Sequence, residues 1–263
     1  MSIKNHSVKA AFFDLYGTLL SHVSHVIPQS ARQCLNMLRA RGIKTYLCTG
    51  RHSTELEYLP VEGIPFDGYI TLNGHLCLDE SKNVVFGLPF PEDTTRALIS
   101  IFKEQKMPLV LVEESGLTLN FSNDTVIRAQ KAISSPLPEI APYDGIPIYQ
   151  ATTFADRSED DRIHAMMPPN CHPARWNDQG VDLILNGGGK VAGIRFVLDQ
   201  EGISPEECIA FGDAENDIDM LSFVGIGVAM GNAQDPVKEI ANYVTSDVDD
   251  DGIEKALQYW GIL

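Results

Sequence analysis

The segment Gly212-Asp213-Ala214-Glu215-Asn216-Asp217 sets two carboxylates four residues apart. Where such a pair straddles a strand end and a helix start, both side chains can converge on one hard cation. Three other positions offer matching chemistry. Asp14 ends an apolar run at 8–13 and is followed by Leu15-Tyr16-Gly17-Thr18-Leu19-Leu20. A carboxylate there is either a reactive group presented by a strand or a turn-capping residue. Thr49 and Gly50 follow Leu47-Cys48, where a hydroxyl and an exposed amide suit either an anion or a simple helix cap. Lys190 stands behind Gly187-Gly188-Gly189 and opens a helix, which fits an anion site and a flexible connector equally well.

The elements that must position these groups are legible in the apolar pattern. Short apolar runs at 8–13, 43–48 and 69–72 each end in a polar, glycine-containing turn. Such runs read as buried strands, and the intervening stripe of Cys34, Leu35 and Leu38 reads as a helix starting near Pro28 and stopping at Gly42. Strands alternating with helices predict βαβ units and a parallel sheet, in which ligands bind at the carboxyl ends of strands. From about Lys82 to Leu185 the rhythm changes to short strands and helices with many prolines, including a helix at 92–105 and strands at 109–112 and 181–185. The proline-rich stretch 134–147 fits no element. After Lys190 the α/β pattern returns, with a helix at 191–198, a helix start at Ser204-Pro205-Glu206-Glu207, and strands at 208–211, 228–230 and 243–245. The fold predicted is α/β, a doubly wound parallel core formed by 1–81 and 185–263, with an α+β cap inserted at 82–184 that is expected to close over the strand ends and exclude water.

Taken in order, the four motifs resemble those of the haloacid dehalogenase superfamily, and in detail its Cof-type branch, whose members are largely phosphatases. Leu72-Asn73-Gly74 and the tail from Gly227-Val228-Ala229-Met230-Gly231-Asn232-Ala233 through Val237-Lys238 to Asp251-Gly252 look like the same branch. The resemblance covers both ends of the chain, and the middle fits by position. It implies that Asp14 is a nucleophile that forms an aspartyl-phosphate, which water then hydrolyses. It implies a Mg²⁺ held by Asp14, the backbone carbonyl of Tyr16, and Asp213, with Asp217 binding through water or orienting the others. Thr49 and Lys190 would grip the phosphoryl oxygens, while Gly50, Asn73 and Asn216 would add polar contacts to substrate. The substrate implied is a small phosphorylated metabolite.

One residue departs from that pattern. Phosphatases of this kind carry Asp two positions after the nucleophile, to protonate the leaving oxygen and activate water; here the position is Tyr16. Such acid–base help is worth roughly 10²–10⁴-fold. A phenol with pKa about 10 can donate a proton but is a poor base at neutral pH. Slow hydrolysis is therefore expected, and two other readings stay open. One is a non-enzymatic phosphoester-binding protein on the same fold. The other is a 2-haloacid dehalogenase, whose first motif reads Asp-x-Tyr-Gly-Thr. Those enzymes need no metal, lack a full acidic fourth motif and place their cap between the first two strands, all of which tells against it.

Composition narrows the field further. A formal net charge of −16 over 263 residues disfavours nucleic acid or an anionic membrane as partner. The acidic run Asp249-Asp250-Asp251 reads as a solvated loop before a last helix. Cys34, Cys48, Cys77, Cys171 and Cys208 share no metal or redox spacing, which predicts reduced thiols, with Cys34 and Cys48 in the core. A polar N-terminal stretch at 1–9 and the lack of any long apolar segment predict a cytoplasmic protein. His22 and His25 read as an incidental surface pair. Arg51 and His52 read equally as substrate contacts or as a helix start, and His164, His172, Arg175 and Trp176 as core or surface residues of the insertion. Tyr259 and Trp260 are expected to pack the final helix.

Overall fold

The computed structural model describes residues 7–57, 60–61, 63–133 and 135–263. The first six residues of the polar N-terminal stretch lie outside these, as does Ser134. Strand β1 (Ala10–Asp14) is buried along its length. Alternation sends Ala10 and Phe12 to one side of the sheet and Ala11 and Phe13 to the other, and both sides are apolar because both are covered. Helix α1 (Gln29–Ala40) begins behind Pro28 and buries Ala31, Cys34, Leu35 and Leu38, the stripe expected of an amphipathic helix. Strands β2 (Lys44–Cys48) and β3 (Gly68–Thr71) extend the sheet in parallel, with Asp14 opposite Cys48 and Cys48 opposite Ile70. Strand β4 (Leu76–Asp79) runs antiparallel to β3, and β5 (Val84–Gly87) forms the edge beyond it.

The next hundred residues build a second sheet. Helix α2 (Glu92–Glu104) precedes strands β6 (Leu109–Glu113) and β7 (Leu117–Leu119). Helix α3 (Asp124–Ala132), strand β8 (Glu139–Ile140) and strand β9 (Ile148–Phe154) follow. Helix α4 (Asp160–Ala165) leads into strands β10 (Cys171–Arg175) and β11 (Gly180–Leu185). The strand order is β10-β11-β9-β6-β7-β8, antiparallel except for the β7–β8 pair. Leu98 and Phe102 of α2 bury against Leu109, Leu111, Ala151, Val181 and Leu183 of this sheet.

The chain then returns to the first sheet. Helix α5 (Lys190–Glu201), strand β12 (Cys208–Gly212), helix α6 (Ile218–Phe223) and strand β13 (Ile226–Ala229) come first. Helix α7 (Asp235–Ile240), strand β14 (Tyr243–Val244) and helix α8 (Gly252–Tyr259) complete it. The order is β14-β13-β12-β1-β2-β3-β4-β5, with β12 parallel to β1. On one side Phe12, Ala210 and Cys48 pack with Ile194, Leu198 and Met220 of α5 and α6. Phe13 stacks on Phe211 at 5.1 Å, and α1 packs against α8.

The chain divides into two compact units, one up to Phe86 with Lys190–Leu263, the other Gly87–Gly189. The boundaries predicted from sequence, 81/82 and 184/185, each fall about five residues early. Residues 84–87 belong to the first sheet as its edge strand, because β4 and a tight turn at Asp79–Asn83 lead directly into it. At the other end β11 runs to Leu185 in the second sheet, so the core resumes only at Lys190. The helix start expected at Ser204 carries its capping box but closes after one 3₁₀ turn, since five buried residues of β12 follow at once.

Candidate active site

Three parallel strands end side by side and deliver the reactive groups. β1 ends at Asp14, β2 runs into Thr49, and β12 runs into Asp213. Their registers, Asp14 opposite Cys48 and Phe13 opposite Phe211, bring side chains far apart in sequence to one sheet edge. Asp217 follows in a 3₁₀ turn whose conformation its own carboxylate holds, with Oδ2 accepting from the amides of Asp213 at 2.9 Å and Ala214 at 3.0 Å.

Lys190 is the centre of the charge arrangement. It is fully buried, and its Nζ donates to Asp14 Oδ1 at 2.5 Å, Asp217 Oδ1 at 2.6 Å and the Cys48 carbonyl at 3.1 Å. Asp219, which lies outside the roles that the sequence motifs assign, accepts from the amide of Val191 at 3.2 Å and pins the start of α5, and with it Lys190. Asp14, Asp213 and Asp217 each offer a carboxylate oxygen within 4.8 Å of the others. Burial, then repulsion from Asp217, raises Asp14 to about 7 despite the Lys190 ammonium. Burial, then Asp14 and Asp217, raises Asp213 to about 9. Burial opposes the charge on Lys190, but Asp14 and Asp217 outweigh it and raise its pKa. Three carboxylates thus face one ammonium; crowding makes them hold protons that a divalent cation bound by oxygen can replace.

The loop after β1 is shaped to the same purpose. Gly17 has φ +79°, and a Cβ there would lie 2.2 Å from Asp213 Oδ2, so only glycine lets the loop approach the carboxylate. Thr18 donates to Asp213 Oδ1 at 3.0 Å. Asn232 ties the loop to the C-terminal part of the chain, donating to the Gly17 carbonyl at 2.7 Å and accepting from the Val248 amide at 3.0 Å. Asp249, expected to be merely solvated, accepts from Ser21 at 2.8 Å.

On the other side of Asp14, Thr49 is buried and its Oγ1 accepts from the Arg51 amide at 3.1 Å. Asn73 is buried with φ 50°, and its amide donates to the Thr49 carbonyl at 3.1 Å. Its side-chain oxygen accepts from Asn216 at 3.0 Å, and a Cβ on Gly50 would come within 3.2 Å of it. A left-handed, buried asparagine preceded by Leu72, also at φ 50°, is local strain of the kind that functional sites hold. The structure therefore gathers Asp14, Tyr16, Thr49, Gly50, Asn73, Lys190, Asp213, Asn216 and Asp217 at one end of the first sheet.

Tyr16 is engaged through its side chain as well. Arg51 donates from Nη2 to the phenol oxygen at 3.1 Å and lies 4.9 Å over the ring, while Nη1 binds Glu55 at 2.6 Å. His22, read as incidental, stacks on the same ring at 6.0 Å. Burial raises the phenol above its usual range, and Arg51 opposes the shift. His52 is buried and pairs with Thr54. In the second unit Trp176 donates to Asp182 at 3.1 Å, Arg175 binds Asp160, and His172 pairs with Asn186 at 3.0 Å. Tyr259 stacks on Tyr243 at 4.2 Å. No helix among the described residues is long and apolar enough to cross a membrane.

Comparison with known proteins agrees with this geometry. YkrA of Bacillus subtilis is 31% identical over 258 residues, covering 97% of this chain and 98% of its own. A phosphatase of the haloalkanoate (HAD) enzyme superfamily from Bacteroides thetaiotaomicron has a structure that matches with TM-score 0.88 at 29% identity, over 99% of this chain and 97% of the other. The HAD subclass IIB sugar phosphatase matches with TM-score 0.86 at 32% identity, over 97% of this chain and 100% of the other. The family model for haloacid dehalogenase-like hydrolases matches residues 11–257. The chain belongs to the haloacid dehalogenase-like hydrolases.

Proposed function

We propose that this hydrolase is a Mg²⁺-dependent phosphomonoesterase that acts on a small phosphorylated metabolite through an aspartyl-phosphate at Asp14. The observation that carries the reading is the Lys190 ammonium 2.5 Å from Asp14 within a ring of three carboxylates. Asp14, the Tyr16 carbonyl, Asp213 and Asp217 would hold the metal. When bound, the cation neutralises charge between an anionic nucleophile and an anionic substrate.

The chain's own residues do the rest. Asp14 attacks phosphorus; the P–O bond to the leaving group breaks and its electrons go to the leaving oxygen. Thr49 donates to the equatorial phosphoryl oxygens, where charge accumulates, and Lys190 reaches them by exchanging one of its three donor bonds. Asp217 orients Lys190 and the loop after β12. Gly50, Asn73 and Asn216 contact the substrate. The relative that is a sugar phosphatase supports a small phosphorylated substrate. The complete acidic cluster, and an insertion that follows β5 rather than β1, favour phosphate over haloacid chemistry.

Phosphate release from p-nitrophenyl phosphate tests this. Release that needs Mg²⁺, stops with excess chelator and is abolished by Asp14→Asn is expected. Halide release from 2-haloacids in place of phosphate release would overturn it. Tight phosphate binding without turnover would favour a non-enzymatic phosphoester-binding protein.

A further inference from the structure

The residue that departs from the phosphatase pattern is held by a network of its own. The Tyr16 phenol oxygen accepts from Arg51 Nη2 at 3.1 Å, and the guanidinium covers the ring at 4.9 Å. Arg51 is itself fixed: its Nη1 binds Glu55 at 2.6 Å, and its amide donates to Thr49 Oγ1 at 3.1 Å. Glu55 in turn accepts from the His52 amide at 3.1 Å through its second oxygen. His22 stacks on the same ring at 6.0 Å. The cluster also joins Tyr16 to the Thr49 end of the phosphate grip.

The direction of the Arg51 bond matters. A guanidinium only donates, so the phenol oxygen is its acceptor and the phenol hydrogen remains to be donated. No described protein acceptor is seen to take that hydrogen. The hydroxyl is therefore a donor fixed in place, polarised by a cation and carried by the residue two positions from the nucleophile.

Resting on the phosphatase reading, we infer that Tyr16 donates a hydrogen bond to the bridging ester oxygen as it leaves, and that Arg51 is the residue that positions it. As the P–O bond breaks, the electron pair passes to the leaving oxygen, the phenol hydrogen bond stabilises the developing charge, and solvent supplies the proton. Tyr16 keeps its own proton throughout. This replaces an acid with a fixed dipole, so help is greatest for leaving groups that depart as basic alkoxides. Removing a donor aimed at developing negative charge typically lowers kcat by about 10²-fold.

The test is a leaving-group series run with Mg²⁺, from p-nitrophenyl phosphate through phenyl phosphate to glycerol phosphate, on native protein, Tyr16→Phe, Arg51→Met and Arg51→Lys. Tyr16→Phe is expected to lose about 10²-fold in kcat on the alkyl ester and only a few-fold on the activated aryl ester, steepening the dependence on leaving-group basicity. Arg51→Met should steepen it in the same way, Arg51→Lys should restore part of it, and a protein carrying both Tyr16→Phe and Arg51→Met should fall no further than Tyr16→Phe. A Mg²⁺-dependent rise in melting temperature kept by each variant separates this from loss of folding. Parallel plots for native protein and Tyr16→Phe, or an equal loss on every ester in Arg51→Met, would overturn the inference alone. Absence of Asp14-dependent phosphate release from native protein would overturn the phosphatase reading and this inference with it.

Discussion

Lys190 lies 176 residues from Asp14 in sequence, yet its ammonium stands 2.5 Å from that carboxylate in a buried site. Desolvating both groups is unfavourable, and the pair persists because Asp217 and the Cys48 carbonyl complete the coordination of the ammonium. Removing Lys190 should therefore do more than abolish phosphate binding. Lys190→Met leaves buried carboxylates without their cation, and destabilisation of about 3–5 kcal/mol is expected. Denaturant unfolding in chelator measures it; a loss below about 1 kcal/mol would contradict the arrangement.

Gly17→Ala tests the approach of the first loop to Asp213. A methyl group there meets the carboxylate at 2.2 Å in a backbone with φ +79°. The loop must withdraw, and Mg²⁺ affinity should fall by roughly 10–100-fold, as when groups supporting a metal ligand are removed. Calorimetric titration with Mg²⁺ would reveal this, and unchanged affinity would show that the loop does not support the site.

Protons and metal should compete for the same carboxylates. With Asp14 raised to about 7 and Asp213 to about 9, the metal-free folded state retains protons that the unfolded chain has lost. Stability without metal should therefore fall as pH rises from about 4 through about 9. Mg²⁺ must displace those protons, so its binding tightens over the same window. The rise in melting temperature on adding Mg²⁺ should be larger at about pH 8.5 than at about pH 5.5. A larger rise at the lower pH would contradict the assignment of the site.

Asn232 should prove a structural tie between the first loop and the tail. Its side chain donates to the Gly17 carbonyl and accepts from the Val248 amide. Asn232→Ala removes both bonds and is expected to destabilise by about 1–3 kcal/mol, with weaker Mg²⁺ binding. Thermal melts with and without Mg²⁺ would show both effects.

Tyr16→Asp asks whether turnover is limited by a missing acid. The variant discards the phenol that Arg51 holds at 3.1 Å and places a shorter carboxylate next to the metal ligands. No gain on p-nitrophenyl phosphate is expected. A clear gain, with native protein silent, would favour a binding protein built on a phosphatase scaffold.

The strand ends were legible because burial and polarity change abruptly there. The strands ending at Asp14, Cys48 and Gly212 are five buried or nearly buried residues each, and the polar group that closes them is Asp14 itself, Thr49 or Asp213. A parallel sheet then brings those ends together, so the placement of Asp14, Thr49 and Asp213 follows from the pattern. Lys190 was legible as the polar opening of a helix, though its contact with Asp217 depended on the packing of α5 against α6.

Other parts were hidden for physical reasons. The Tyr16–Arg51 contact spans 35 residues between two loops without periodicity, so no spacing announces it. Asn232 and Asp249 act through side-chain bonds to the first loop, which apolar patterning does not record. Strand β5 is mostly exposed, so it lacks the buried run by which its neighbours can be recognised, and the boundary expected from the pattern falls before it. The short strand β8 arose in proline-rich sequence because β7 supplied a pairing edge, a tertiary effect that local propensity does not carry.

The most direct test follows the phosphoryl group itself. Native protein is mixed with a substrate labelled in its phosphoryl group and Mg²⁺, quenched in acid during turnover, and mapped by peptide mass. The reading predicts acid-stable, alkali-labile label on the peptide containing Asp14, absent in chelator and in Asp14→Asn. Label on another residue, or steady phosphate release by Asp14→Asn, would contradict it.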